Sequence, residues 1–124
     1  MHSALAIVAV AVGGAAGASL RFAIAEGVRG LTSWPWYVST MIANIAGCLA
    51  IGYVYVGIES GEHPAWVKPL LVTGLLGAFT TFSTFSLDAM HLIEERRYGE
   101  LATYLVVSVL VGLVAVKGGM VLGR

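Results

Sequence analysis

Four long apolar runs, separated by short polar connectors, dominate the pattern along this chain. They cover about residues 4–25, 38–58, 67–93 and 101–122, and each reaches the roughly 20 residues needed to cross a bilayer as a helix. The connectors carry the breakers and the charges. Residues 26–37 hold Gly27, Gly30 and Pro35, with Trp34, Trp36 and Tyr37 as an interfacial aromatic belt. Residues 59–66 hold Gly61, His63 and Pro64, and residues 94–100 read EERRYGE. The pattern predicts an all-α membrane protein of four transmembrane helices, forming one transmembrane domain over residues 1–124.

The third run departs from the others. Its stretch 73–86 reads TGLLGAFTTFSTFS, crowding hydroxyls and glycines into a segment long enough to be buried in hydrocarbon. Unsatisfied polar groups there cost several kcal/mol each, so the segment must use them. Thr73, Gly77, Thr81 and Thr84 follow helical steps of four, four and three, while Phe79, Phe82 and Phe85 recur every three residues. Two glycines followed by adjacent β-branched threonines make a poor helix centre. One reading is a third helix broken at mid-membrane into two half-helices. Such a break frees carbonyls for a small hard cation and points a positive helix N-terminus inward. The edges of Phe82 and Phe85 add weak positive potential. The other reading is a continuous packed helix whose hydroxyls bond back to the preceding turn.

Composition narrows the class. The chain is 58% hydrophobic and 11% charged, against roughly 25% charged in soluble domains, so a water-facing surface cannot be built from it. Formal net charge is zero, which disfavours nucleic acid as a partner. The start, MHSALAIVAV, has no basic region before its apolar run, and the run continues too far for a signal peptide, so retention is expected. The single Cys48 cannot form an intrachain disulfide and reads as packing.

Small residues four apart mark helix contact faces: Gly13 and Gly17, Ala43 and Gly47, Ser108 and Gly112, Gly119 and Gly123. Four short helices do not easily enclose every polar group present, so an oligomer is expected. Lys68 and Arg124 fall on one side of the predicted bundle and Arg29, Arg96 and Arg97 on the other, with Arg21 near the end of its helix. That bias is small, and insertion in both orientations is expected.

Among candidate chemical residues, Asn44 lies mid-way along the second run, one turn from Thr40 and from Cys48. It serves either as interhelical glue or as a donor to a passing anion. Tyr104, Ser108 and Gly112 form a row on the fourth helix. Arg21 and Lys117 can snorkel to the interface. Glu26 and Asp88 lie near helix ends or vestibules. The centres of the first, second and fourth runs hold no Asp or Glu, which disfavours a proton-coupled carrier. Ser86, Asp88 and His91 are close in sequence, but Ser86 points away from the other two. With no nucleophile elbow, HExxH or phosphate loop, an enzyme is not expected.

The segments GGAAGASLRF (13–22), STMIANIAGCLAIG (39–52) and TGLLGAFTTFSTFS (73–86) together resemble the Fluc/CrcB family of small bacterial fluoride channels, and the similarity runs over essentially the whole chain. The resemblance implies an antiparallel dual-topology homodimer in the bacterial cytoplasmic (inner) membrane, with two fluoride pores and a structural Na+ at the dimer interface. It implies that Phe82 and Phe85 are the pore phenylalanines and Asn44 the pore asparagine. Thr81, Ser83 and Thr84 complete the hydroxyl-rich motif. Gly77 and Thr80 would hold the sodium ion through their carbonyls. Arg21 would sit near an aqueous vestibule, as would Asp88, where some members carry Glu. Tyr104 and Ser108 would form the polar track on the fourth span. Gly112 stands where a second track hydroxyl is often found, and Ala78–Phe79 where the family is often Gly-rich. The implied function is passive export of fluoride, protecting against its toxicity. The alternatives are a small four-span multidrug exporter of dual topology, which would want a membrane-embedded carboxylate, and a non-transporting assembly subunit.

Overall fold

The computed structural model of the protein describes residues 3–124, and among these every regular element is helical. Helix α1 spans Ser3–Leu31 and α2 spans Val38–Ser60. Helix α3, Pro69–Leu76, is π-wound and runs into a single α-helical turn, Gly77–Phe79. Helix α4 spans Ser83–Glu94 and α5 spans Tyr98–Gly123. Four segments are long and apolar enough to cross a membrane: α1, α2, the stretch Pro69–Glu94, and α5.

The first helix runs six residues beyond the end expected from the pattern, to Leu31. Gly27 and Gly30 do not stop it, and an exposed Arg29–Glu26 pair one turn apart lies in the same stretch. Thr32 closes the helix instead. Its N–H (3.2 Å) and its hydroxyl (2.7 Å) both donate to the Val28 carbonyl. Pro35 lies beyond it, where the chain can no longer continue the helix. At the far end of α4, Arg96 takes φ = 57°. The Arg97 N–H then reaches the Leu92 carbonyl at 2.8 Å, and the Arg96 N–H reaches Ile93 at 3.0 Å. These two bonds form a Schellman closure with arginine where glycine is usual.

Two helix pairs organise the bundle: α1 lies along α3, and α2 along α5. Glycine permits both approaches. A Cβ on Gly13 would run into the Leu70 carbonyl and the Leu75 nitrogen, and one on Gly17 into the Leu75 carbonyl. Gly52 faces the Val116 carbonyl, and Gly119 faces that of Leu49. Where hydrocarbon supplies little hydrophobic drive, such backbone-to-backbone packing carries the association. Few large side chains are buried; Tyr37, Leu92 and Tyr104 form the main cluster, with Val38, Met41, Phe85 and Leu101 packed against it. Many others, such as Ile7, Leu113, Val114 and Leu122, face outward.

Gly13→Val should therefore force α1 off α3, lowering the melting temperature in detergent by the equivalent of about 1–3 kcal/mol. Gly27→Ala, with open space around it, should leave the melting temperature unchanged or raise it slightly. Equal melting of the two variants would contradict the close α1–α3 approach.

Candidate functional site

The site is built where the third apolar segment stops following helical geometry. Thr80 takes φ −89° and ψ 163°, an extended conformation, and helical residues resume at Ser83. Two hydrogen bonds tie off the chain before this point, since both the N–H (3.1 Å) and the hydroxyl (3.0 Å) of Thr80 donate to the Leu76 carbonyl. The methyl group of Thr80 projects into space left by Gly47 of α2.

Asn44 holds the next residue. Its Oδ1 accepts the Thr81 N–H at 2.8 Å, and its Nδ2 donates to the Thr81 carbonyl at 3.0 Å. One side chain from α2 thus pairs with both backbone groups of Thr81, as a neighbouring strand would. The Thr81 hydroxyl in turn accepts the Thr84 N–H at 3.2 Å, satisfying an amide that helix starts leave free.

These bonds have a consequence for the carbonyls. In an unbroken helix the Thr81 N–H would bond Gly77 and the Thr84 N–H would bond Thr80. Here the first goes to Asn44 and the second to the Thr81 hydroxyl, so the Gly77 and Thr80 carbonyls lose their helical partners. Between them, the Arg21 Nε donates to the Ala78 carbonyl at 3.1 Å. Among the described residues no group of three His, Cys, Asp or Glu side chains could hold a metal ion. The released carbonyls are hard oxygen donors of the kind that suits a small cation.

A groove of about 480 Å³ collects most of the candidate residues: Asn44, Gly77, Thr80, Thr81, Phe82, Phe85 and Ser108. Cys48 and Gly47 also line it, and among the described residues no charged side chain does. The Ser108 hydroxyl is buried without a hydrogen-bond partner among the described residues. Phe82 is 79% exposed, with its ring centroid 6.1 Å from that of half-buried Phe85. A second cleft, of about 320 Å³, is lined by Arg21, Ser39, Thr40, Thr81 and Thr84 among others. Thr81 therefore contributes to both.

Three candidates lie elsewhere. Ser83 is exposed and lines neither space. Asp88 is buried in the α4–α5 contact, where its carboxylate accepts the Tyr104 hydroxyl at 3.0 Å. Tyr104 is fully buried, and its ring backs Phe85 at 5.0 Å. Tyr37, read from sequence only as part of an aromatic belt, is buried against Tyr104 at 5.0 Å. Its spacing from Thr40 and Asn44, three and then four residues, already aligned it, just before α2, with the face of α2 that carries those two. Burial, with the Glu100 carboxylate beside it, pushes the Tyr37 phenol above its ordinary value.

A multi-pass bundle with an uncharged, hydroxyl- and phenyl-lined groove beside an interrupted helix defines a small helical membrane protein of the ion-channel kind. The chain belongs to the CrcB family: the model described as "CrcB-like protein, Camphor Resistance (CrcB)" matches residues 8–120. It is 44% identical over 119 residues to the protein named "Fluoride-specific ion channel FluC" of Azotobacter vinelandii, covering 94% of each chain. It is 42% identical over 119 residues to the protein of that name from Stutzerimonas stutzeri, again covering 94% of each. The protein of the same name from Chloroflexus aurantiacus is 42% identical over 123 residues, with coverage of 95% of this chain and 94% of the relative.

Asn44→Ala would strip Thr81 of both partners, at about 1–3 kcal/mol for each buried group left unpaired. The expected result is a lower melting temperature and faster hydrogen exchange at the Thr81 amide, by roughly tenfold or more. An unchanged exchange rate at Thr81 would rule out the two-point clamp.

Proposed function

We propose that this chain forms a fluoride-selective channel that lets fluoride leave the bacterial cytoplasm passively. The observation that carries the reading is the groove itself. It gathers Asn44, Thr81, Phe82, Phe85 and Ser108 with no charged side chain among its lining. Fluoride is small and tightly hydrated, so a pore must replace its water with donors and still let it go. The Ser108 hydroxyl is unpartnered, and the Asn44 amide keeps one N–H beyond the bond to Thr81. Phenyl edges contribute weak positive potential. A lysine or arginine in the same place would bind the anion too tightly for exit. The family's named fluoride channels, aligned over nearly the full length, support the same reading.

The interruption at residues 80–82 lies at mid-membrane, and the working unit is an antiparallel homodimer of dual topology in the inner membrane, surrounded by lipid. Two features favour it: the small Lys/Arg bias between the two ends of the bundle, and Phe82, which one chain leaves 79% exposed. A second copy would cover that ring. A structural sodium ion would be held by the Gly77 and Thr80 carbonyls, whose helical partners are diverted by Asn44 and Thr81. Neutral hydrogen fluoride enters cells and ionises inside. The anion then leaves down its gradient, aided by a negative interior, with no need for a nucleotide. The exporter alternative requires a carboxylate facing the groove, and Asp88 is instead turned into the helix contact with Tyr104.

Liposomes containing the protein should release fluoride far faster than chloride, read with ion-selective electrodes. Phe82→Ile and Asn44→Asp should each slow fluoride release by about tenfold or more, equivalent to ~1.4 kcal/mol of barrier. Fluoride release at wild-type rates in both variants would defeat the pore assignment. Replacing sodium with a large organic cation should lower the melting temperature of the wild type. Asn44→Ala, which frees the Thr81 amide to compete for the Gly77 carbonyl, should shrink that sodium effect. Melting indifferent to sodium would remove Gly77 and Thr80 as ligands.

A further inference from the structure

Outside the groove, one polar cluster joins the α1–α2 connector to the α4–α5 turn. The Glu100 carboxylate accepts the Tyr37 hydroxyl at 2.7 Å, Arg97 Nη2 at 2.7 Å and Arg97 Nε at 2.5 Å. The Arg97 guanidinium also lies 5.1 Å over the Trp36 ring. Arg97 is delivered by the left-handed Arg96, so the turn has little freedom to present it differently.

The cluster is continuous with the groove through aromatic rings. Tyr37 is buried and touches Tyr104 at 5.0 Å between centroids, with the planes at 51°. Tyr104 touches Phe85 at 5.0 Å and 52°. Phe85 lines the groove; Tyr37 and Tyr104 do not. The hydroxyl is the only polar handle on Tyr37, and Glu100 holds it. A ring's interaction with an anion changes sign between edge and face, so the tilt of Phe85 matters to anything passing it. Packed cores transmit such tilts because they have no voids to absorb them.

We propose that Tyr37, anchored by Glu100 and Arg97, is a positioning residue that sets the orientation of the Phe85 ring through Tyr104. The claim rests on Phe85 being a pore residue, and it adds residues that never meet the ion. Loss of the anchor lets Tyr37 rotate; the Tyr104 ring then tilts about its hydroxyl bond to Asp88, and the tilt of Phe85 against it changes.

The test uses the full-length protein with 4-fluorophenylalanine at position 85 for fluorine NMR, and the unlabelled protein in liposomes for flux. Tyr37→Phe keeps the stack and removes only the hydroxyl anchor. It should shift the position-85 resonance and slow fluoride release by about threefold, with little change in melting temperature. Glu100→Ala should match it, and the double variant should be no slower than either single one. Glu100→Gln, which keeps an acceptor for the Tyr37 hydroxyl, should restore both the resonance and the flux. An unmoved resonance in Tyr37→Phe would overturn the proposal. So would a moved resonance with unchanged flux in a conducting wild type, or full additivity of the two single variants. A wild type that passes no fluoride would instead sink the channel reading, while the resonance still reports on the positioning.

Discussion

The pairing of the Asn44 carboxamide with both backbone groups of Thr81 is the contact on which the rest of the site depends. A backbone that leaves helical geometry inside a membrane-spanning segment must find other partners for its amides and carbonyls, because lipid offers none. Asn44 supplies one donor and one acceptor from a neighbouring helix. With Thr81 satisfied, the chain can be extended at Thr80 and helical again from Ser83. The phenylalanines that follow are thereby delivered to the groove.

That pairing acts only because the helices come close, and glycine controls the distance. Gly47 leaves room for the Thr80 methyl, one turn from Asn44 on the same helix. Gly13, Gly17 and Gly74 bring α1 against α3, so that Arg21 reaches the Ala78 carbonyl. The same economy of side chains leaves the single chain with few buried large residues and much exposed apolar surface. Lipid, and in the proposed assembly a second copy, would take up that surface.

Function, in this reading, follows from weakness. Among the described residues no fixed charge lines the groove, the available donors are neutral, and the Asp88 carboxylate is occupied by Tyr104, whose ring packs against Phe85. A neutral donor set favours passage over capture, because each hydrogen bond to the anion is worth less than a buried ion pair. Behind Phe85 the Tyr104 and Tyr37 rings follow at 5.0 Å between successive centroids.

The four membrane-capable segments were legible in sequence because hydrophobic length is a local property that no neighbour alters. The unusual stretch 73–86 was legible for the same reason: its hydroxyls and glycines contradict its setting, whatever surrounds it. Helix ends were less legible. Gly27 and Gly30 look like breakers, but α1 continues through both to Leu31, where Thr32 closes it. Asn44 could be singled out as a polar residue in an apolar run. That both of its polar groups are spent on Thr81, which releases the Gly77 and Thr80 carbonyls, was decided by the approach of α2 to the third segment. Likewise Asp88 is turned into a buried pair with Tyr104, and Tyr37 is drawn from the aromatic belt into the core, because the packing of α4 against α5 and of α2 against both puts these groups in reach. Sequence determined what this protein must bury and which residues were out of place there. Tertiary structure alone decided their partners, since hydrogen bonds and ring contacts depend on distances between segments far apart in the chain.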